Sequence, residues 1–251
     1  MPAEESTPAI VLRTRDYAES DRIVTLLTRD FGKLSGIAKG AKASRRRFER
    51  KLEPFSHVNL FFRRRPNGQL VFITRAEAGD LNPLALEDDL ARFALGSYML
   101  ELAEALTSEE AEAAAAYHVL ATSLGALASS EATIAARQRY ELELLRAVGF
   151  GLDFARCRVC AASSDHGNCV YFVASRGGVI CPRCRPAAPE GAVRLAPASA
   201  AALDRLNSAA DSGNPVALDS AGADGALAIA RFLASVLDRK LRSAAFLDSL
   251  M

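Results

Sequence analysis

The stretch GKLSGIAKGAKASRRRFERKLEPFSHVNLFFRRR, residues 32–65, holds eleven lysines and arginines against two glutamates. It begins and ends with strand-like segments, residues 33–39 and 58–63, so most of its charge falls on the connection between them and on the loop that follows. Four phenylalanines lie among the charges: Phe48, Phe55, Phe61 and Phe62. Cations that replace counterions on phosphate, interleaved with rings that stack on bases, favour nucleic-acid binding. The alternative is a solvated charged face with ordinary core phenylalanines.

Three more short strands are predicted around this stretch, at residues 10–17, 23–28 and 70–75. Asn67-Gly68 separates the fourth strand from the fifth, and both residues tolerate the positive φ of a tight hairpin turn. Five short strands in the first third of the chain favour a small barrel of the OB type, which binds single strands on one face and through its one–two and four–five loops. The one–two loop, with Asp16, Glu19 and Asp21, is acidic and matches this function poorly.

The predicted nucleic-acid contacts are therefore basic residues of the three–four connection and the four–five loop. They are Lys39, Lys42, Arg45, Arg46, Arg47, Arg50, Lys51, Arg63, Arg64 and Arg65. Lys33 and most of the phenylalanines are expected to serve the barrel itself. Alternation along a strand places Phe61 and Phe62 on opposite faces, but the pattern does not identify which ring would meet a base.

Composition agrees with this division of the chain. The formal net charge of the 251 residues is only +1, yet the first 80 residues carry 16 basic and 10 acidic side chains and the remainder is acidic. Anion binding is thus expected to be local to the N-terminal part. No apolar run is long enough to span a membrane, and the N-terminus lacks a signal-peptide core, so we expect a cytoplasmic protein.

A helical region is predicted after the barrel. Asn82-Pro83 is typical of a helix start, the segment Thr107-Ser-Glu-Glu resembles a capping box that opens a second helix, and a third helix at residues 131–148 would end at Gly149. The leucine stripes of these helices are typical of a core, although a groove for a partner peptide is the alternative.

Four cysteines form two pairs with metal-knuckle spacing: Cys157, Cys160, Cys181 and Cys184. Four thiolates suit one structural Zn²⁺ and leave no open coordination position for catalysis. The strand-like run at residues 170–173, followed by Gly177-Gly178, predicts a hairpin leading into the second pair. Four unrelated buried cysteines, or His166 as a substitute ligand, are the alternatives, and Cys169 is expected to be a small buried hydrophobe.

Two more helices are predicted, from about Ser199 to a break at Gly213-Asn-Pro215 and over residues 226–241. Arg231, with the later residues Arg239, Lys240 and Arg242, would make the end of the last helix basic, which is either a solvated face or a second nucleic-acid contact.

Catalytic motifs are missing from the sequence. It contains no P-loop and no dinucleotide-binding glycine motif, and its three histidines are scattered. The sequence leaves three hypotheses for the function: a non-enzymatic DNA-binding protein, a zinc-ribbon adaptor acting chiefly through protein–protein contacts, and a zinc hydrolase. The zinc hydrolase requires fewer than four thiolate ligands.

In these motifs and their order, the chain resembles the RecO family of bacterial recombination mediators over nearly its whole length. The stretches that carry the resemblance are residues 11–28 (VLRTRDYAESDRIVTLLT), 32–40 (GKLSGIAKG), 52–55 (LEPF), 145–150 (LRAVGF) and 240–243 (KLRS), with Gly177-Gly178 and both cysteine pairs. Their order and spacing together are specific to that family.

The resemblance implies an α+β chain, with an OB-type nucleic-acid-binding barrel at residues 1–80 and a helical domain at residues 81–251. The helical domain would contain a zinc-ribbon-like insertion with four cysteine ligands at residues 151–190. The resemblance further implies DNA repair and recombination without enzymatic activity: binding of single- and double-stranded DNA, annealing of complementary strands, and loading of RecA onto strands coated with single-strand binding protein (SSB). The implied partners are RecR and the C-terminal tail of SSB, and the implied location is the cytoplasm, at the nucleoid.

Overall fold

The chain divides into two compact units. The structure, a computed structural model, describes residues 3–44, 46–65, 70–79, 89–109, 113–164, 168–187, 189–212 and 220–250. One unit comprises Met1–Ala132 with Leu241–Met251, and the other comprises Thr133–Lys240. The predicted domain boundary at residue 80 lies outside the described residues and stays a prediction.

A closed five-stranded barrel forms the start of the first unit. Its strands are β1 (Glu5–Tyr17), β2 (Asp21–Thr28), β3 (Gly32–Ala38), β4 (His57–Arg63) and β5 (Val71–Ala78), in the order β1-β2-β3-β5-β4. The β3–β5 pair is parallel and all other pairs are antiparallel. The five predicted strands and the OB-type barrel are confirmed. The predicted turn at Asn67-Gly68 lies outside the described residues.

Alternating side chains fill the barrel. In β4 every second residue is buried, so Phe62 points into the core while Phe61 points outwards, as predicted. The β3–β4 connection adds Phe48 and Leu52 to the same core. The barrel core comprises Ala9, Val11, Val24, Leu26, Leu34, Ala38, Ala41, Phe48, Leu52, Val58, Leu60, Phe62, Val71, Ile73 and Ala76.

Gly36 lies in the parallel pairing of β3 with β5, one of the contacts that complete the barrel. It pairs with Val71 in the parallel β3–β5 ladder, and a Cβ added at Gly36 would lie 2.7 Å from Ile73 Cγ1 and 2.9 Å from Val71 Cγ2. Both neighbours belong to the packed core and have little room to move.

Gly36→Ala is therefore expected to lower the free energy of unfolding of the first unit by about 1–3 kcal/mol, the range typical of overpacking. Denaturant unfolding of the full chain measures it. Gly151→Ala is the matched control, because a Cβ at Gly151 meets nothing within 4 Å. Equal stabilities of the two variants would contradict this account of Gly36.

Two helices of the first unit follow the barrel: α1 (Leu90–Leu106) and α2 (Ala114–Ser129). The side chain of Asp89 caps α1 by accepting from Arg92 N at 2.9 Å. Lys33 on β3 donates to the carbonyls of Glu104 (2.8 Å) and Thr107 (2.6 Å), where a cation favours a helix C-terminus. Lys33 thus joins the barrel to the end of α1.

The predicted capping box at Thr107 is wrong. The Thr107 hydroxyl donates to Ala103 O at 2.7 Å, so this residue ends α1 instead of opening α2. α2 begins at Ala114, after Ala113, which makes no side-chain capping bond. The hydroxyl of Tyr117 on α2 is hydrogen-bonded to His57 Nε2 on β4. The predicted helix start at Asn82-Pro83 lies outside the described residues.

The second unit combines helices with a small sheet. Its elements are α3 (Ile134–Ala147), β6 (Val170–Val173), β7 (Gly178–Ile180), β8 (Val193–Leu195), α4 (Pro197–Ser212) and α5 (Gly222–Val236). The sheet order is β7-β6-β8, so the predicted hairpin at residues 170–180 is confirmed. Gly149, at φ +92°, ends α3 as predicted. The predicted break at Gly213-Asn-Pro215 lies outside the described residues.

The last long helix is shorter than predicted. α5 ends at Val236, Leu237 is extended, and a separate helix α6 (Arg242–Asp248) returns to the first unit. Glu101 of α1 accepts hydrogen bonds from the backbone N–H groups of Arg242 (3.1 Å) and Ser243 (2.8 Å), the first two residues of α6. The basic residues Arg239, Lys240 and Arg242 therefore do not form one face of α5. Among the described residues, no helix is long and apolar enough to cross a membrane.

Candidate nucleic-acid interface and metal centre

The β3–β4 connection folds against the β1–β2 hairpin. Gly40 N donates to Asp21 Oδ1 at 2.8 Å, and Lys42 N donates to Ser20 O at 3.0 Å. Phe48 and Leu52 anchor the other side of the connection in the barrel core. Because its apolar side chains point inwards, the connection presents its lysines and arginines to solvent.

Three exposed cations of this connection, Lys39, Arg46 and Arg50, extend into solvent. Within the described part of the chain, their side chains make no ion pair. Their charges are therefore available to an anion in solution. Arg45 lies outside the described residues.

The other cations of this connection take part in local contacts. Lys42 pairs with Asp16 at 3.1 Å, Arg47 donates to Lys39 O at 3.2 Å and lies over the Phe48 ring, and Lys51 donates to Arg46 O at 3.2 Å. These bonds shape the connection. They leave Lys42 and Arg47 exposed to solvent.

The arginines after β4 contact the start of β1. Arg63 lies 3.8 Å from Glu4 and Arg64 lies 3.2 Å from Glu5, while Arg65 is exposed. Since both ion pairs are partly exposed, they are weak and compete little with a phosphate strand. The described members of the predicted set thus fall into two groups, one on the β3–β4 connection and one after β4.

The predicted aromatic residues are mostly core. Phe48, Phe55 and Phe62 are each at most 3% exposed. Phe61 is half-buried on the outer face of β4, and the Arg75 guanidinium lies 3.3 Å from its ring centroid. Three of the four rings are therefore closed to a base, and Arg75 occupies one face of the fourth.

One outer face of the barrel carries exposed side chains that were not predicted as site residues from the sequence. A cleft of about 70 Å³ lies on β1–β2–β3 beside the start of β5, lined by Arg13, Arg15, Ile23, Thr25, Ser35 and Leu70. Tyr17, at the end of β1, is 51% exposed. The available signal was the alternation of Arg13, Arg15 and Tyr17, which places three long polar-tipped side chains on one face of β1.

Two of the three carboxylates of the β1–β2 hairpin, Asp16 and Asp21, have structural partners, whereas Glu19 is exposed. Asp16 pairs with Arg22 at 3.4 Å and with Lys42 at 3.1 Å. The hydrogen bond from Gly40 N lowers the pKa of Asp21, and the charges of Lys39 and Lys42 act in the same direction. These carboxylates therefore hold the basic connection in place, which accounts for an acidic loop beside a basic one.

The four paired cysteines come together in the second unit. The sulfur atoms of Cys157, Cys160, Cys181 and Cys184 all lie within 4.8 Å of one another, an arrangement that could hold a metal ion. Cys181 follows β7 directly, and Cys184 lies in the 3₁₀ turn Pro182–Ala187. Arg158 N donates to Val179 O at 2.8 Å, so the first cysteine loop is fixed against β7.

Backbone N–H groups lower the pKa of one thiol in this cluster, which favours cation binding. Burial acts to raise the pKa of the Cys157 thiol, but hydrogen bonds from the N–H groups of Cys160, Cys181 and Val159 outweigh it and lower the pKa to about 6. At Cys184, hydrogen bonding to Cys160, followed by burial, raises the pKa to about 12. A thiolate therefore forms readily at Cys157, whereas at Cys184 a nearby cation would favour the thiolate.

The fifth cysteine is separate from the cluster. Cys169 is half-buried, and Arg194 donates to its sulfur at 2.8 Å, so the prediction of a buried hydrophobe is wrong. His166, the alternative ligand, lies outside the described residues.

Comparison with known proteins assigns the chain to one family. The model of the recombination protein O N-terminal domain matches residues 1–81, and the model of its C-terminal domain matches residues 87–245. The chain belongs to the RecO family. The family assignment, predicted from sequence stretches, is confirmed.

Curated relatives agree over nearly the full length. A protein of Anaeromyxobacter sp. (strain Fw109-5) is 39% identical over 245 residues, covering 95% of this chain and 93% of the relative. A Nocardioides protein is 36% identical, covering 96% and 97%, and a Symbiobacterium thermophilum protein is 33% identical, covering 96% and 95%. Each is described as DNA repair protein RecO.

Proposed function

We propose that this RecO-family chain is a non-enzymatic mediator that binds single- and double-stranded DNA, anneals complementary strands and helps load RecA onto SSB-coated DNA. The observation that supports this proposal most directly is the β3–β4 connection, which presents exposed Lys39, Arg46 and Arg50 beside an OB-type barrel. Phosphate contacts of this kind are independent of sequence and suit a protein that must act on any strand.

The proposed contacts form two groups on the barrel. The first is the β3–β4 connection, with Lys39, Lys42, Arg45, Arg46, Arg47, Arg50 and Lys51, and the second is Arg63, Arg64 and Arg65. Phosphate contacts from two groups would hold a strand at more than one point. The proposed partners are DNA, RecR and the C-terminal tail of SSB, and the proposed location is the cytoplasm at the nucleoid.

We assign one structural Zn²⁺ to Cys157, Cys160, Cys181 and Cys184. A Zn–S bond of about 2.3 Å gives a tetrahedron whose sulfur–sulfur edges are about 3.8 Å. Cys160 Sγ and Cys181 Sγ lie 3.8 Å apart, and the low pKa of Cys157 supplies a first thiolate. With four protein ligands the ion would have no position for substrate, so its role would be to stabilise the fold around the β6–β7 hairpin.

Direct binding tests this proposal. A labelled 30-nucleotide single strand and the duplex of the same sequence are titrated with the purified chain at low salt, without nucleoside triphosphates. We expect both to bind, with affinities that fall linearly on a log–log plot against salt concentration. Absence of binding to both at 50 mM salt would overturn the DNA-binding function and favour an adaptor that acts through proteins.

A further inference from the structure

We infer that the proposed zinc centre is also an oxidation site, at which hydrogen peroxide links Cys160 to Cys181 in a disulfide bond and so expels the ion. This inference rests on the structural Zn²⁺ proposed above and adds a reversible modification to it. It concerns the second unit only, because the chain has no cysteine before Cys157 or after Cys184.

Exposure selects Cys160 as the sulfur that peroxide reaches first. Cys157 and Cys181 are at most 9% exposed and Cys184 is half-buried, whereas Cys160 is exposed. Residues 158–161 are all exposed, so the turn that carries Cys160 lies at the surface. Oxidation of cysteine requires thiolate character and access, and access favours this one sulfur of the four.

The metal supplies the thiolate character. A thiol that coordinates zinc is deprotonated, and Zn²⁺ itself undergoes no redox change, so an oxidant acts on the sulfur atoms. The surroundings of the centre are cationic, because residues 151–196 hold six arginines against three acidic residues. Reactive cysteines occur in electropositive, partly exposed surroundings of this kind.

Cys181 is the sulfur that can complete the disulfide. Cys160 Sγ lies 3.8 Å from Cys181 Sγ, so a further approach of about 2 Å brings the two atoms to bonding distance. Because the two residues belong to different pairs, the bond would tie the first cysteine loop to the end of β7. Cys157 is less accessible, since it packs with Val173 and Ile180 and its Sγ accepts from Cys181 N at 3.4 Å.

The oxidation consumes one peroxide for each disulfide. The Cys160 thiolate attacks one oxygen of hydrogen peroxide, the O–O bond breaks, and a sulfenic acid and a hydroxide ion form. The Cys181 thiolate then attacks the Cys160 sulfur and displaces a second hydroxide, so two thiolates lose the two electrons that the peroxide gains.

Loss of two thiolates releases the metal. Zn²⁺ is left with two of its four ligands and dissociates. The change is reversible, because dithiothreitol reduces the disulfide to two thiols and is itself oxidised to a cyclic disulfide. Added Zn²⁺ then finds all four ligands again.

Tryptic peptides identify the expected disulfide. Trypsin places each of the four ligand cysteines on a different peptide, with Cys160 on residues 159–176 and Cys181 on residues 177–183. The cleavage sites are Arg156, Arg158, Arg176 and Arg183. Cys169 shares the first of these two peptides, so the test uses the Cys169→Ser variant, in which a cross-link to that peptide identifies Cys160.

Peroxide treatment of the zinc-loaded Cys169→Ser chain tests the inference. We expect a chromogenic zinc indicator to report release of about one ion per chain, and mass spectrometry to show peptide 159–176 linked to peptide 177–183. Dithiothreitol followed by added Zn²⁺ should restore the original zinc content. A sample without peroxide is the control and should keep its zinc.

The outcomes separate the oxidation site from the zinc assignment. If the chain contains zinc and peroxide neither releases it nor links these two peptides, the oxidation site is overturned while the metal assignment stands. A dominant disulfide within one pair, Cys157 with Cys160 or Cys181 with Cys184, would also overturn the oxidation site. A preparation with four free thiols and no zinc would contradict both.

Discussion

Single-strand affinity is expected to fall about 100-fold at 0.1 M salt when Lys39, Arg46 and Arg50 are all replaced by glutamine. Each phosphate contact on a single strand contributes about 0.7 to the log–log salt slope, so the loss of three reduces the slope by about two. The three side chains are exposed and make no ion pair among the described residues, so their replacement leaves the barrel packing intact. Fluorescence anisotropy with a labelled strand, from 50 to 300 mM salt, measures both quantities.

The matched control changes the same net charge elsewhere. Arg156, Arg176 and Arg205 are exposed arginines of the second unit, and their replacement by glutamine is expected to change affinity less than about threefold. If the control variant lost as much affinity as the barrel variant, binding would depend on overall charge and not on the β3–β4 connection.

Cys157→Ser is expected to lower bound zinc from one ion per chain to nearly none and to lower the melting temperature by about 10 °C or more. Cys157 is 2% exposed and belongs to the small core of Val173, Ile180 and Cys181, so loss of the metal would loosen that core. Metal analysis of the purified chain and differential scanning calorimetry measure the two effects.

A chelator separates metal loss from the mutation itself. Chelation should lower the melting temperature of the wild-type chain to that of Cys157→Ser and should not affect the variant further. Cys169→Ser is the control, because Cys169 lies outside the cluster and this variant should retain both zinc and stability. Full zinc content in Cys157→Ser would contradict the four-thiolate assignment.

Much of the fold could be predicted because local patterns carry it. Turn residues and alternating hydrophobic residues specify the five strands, and the paired spacing of the cysteines brings four sulfur atoms together. Failures occurred where tertiary contacts decide. Thr107 has the sequence of a capping box, but Lys33 of β3 donates to its carbonyl at the end of α1, and Glu101 of α1 binds the backbone at the start of α6.

The site was predicted only in part for the same reason. A charge run identifies the basic connection, but exposure of a ring depends on what packs against it. Arg75, the cross-strand partner of Phe61, lies over its ring, whereas alternation in β1 places Tyr17 on an outer face but does not determine that it is 51% exposed. The structural use of Asp16 and Asp21 is likewise visible only once the connection is folded against their hairpin.

Strand annealing tests the central claim most directly. Two complementary oligonucleotides, one carrying a fluorophore and the other a quencher, are mixed at nanomolar concentration with the purified chain. No nucleoside triphosphate is added. The proposed function predicts annealing at least about tenfold faster than without protein, and a loss of that acceleration with the Lys39/Arg46/Arg50→Gln variant. An annealing rate equal to that of the DNA alone, in a preparation that contains zinc and is folded, would contradict it.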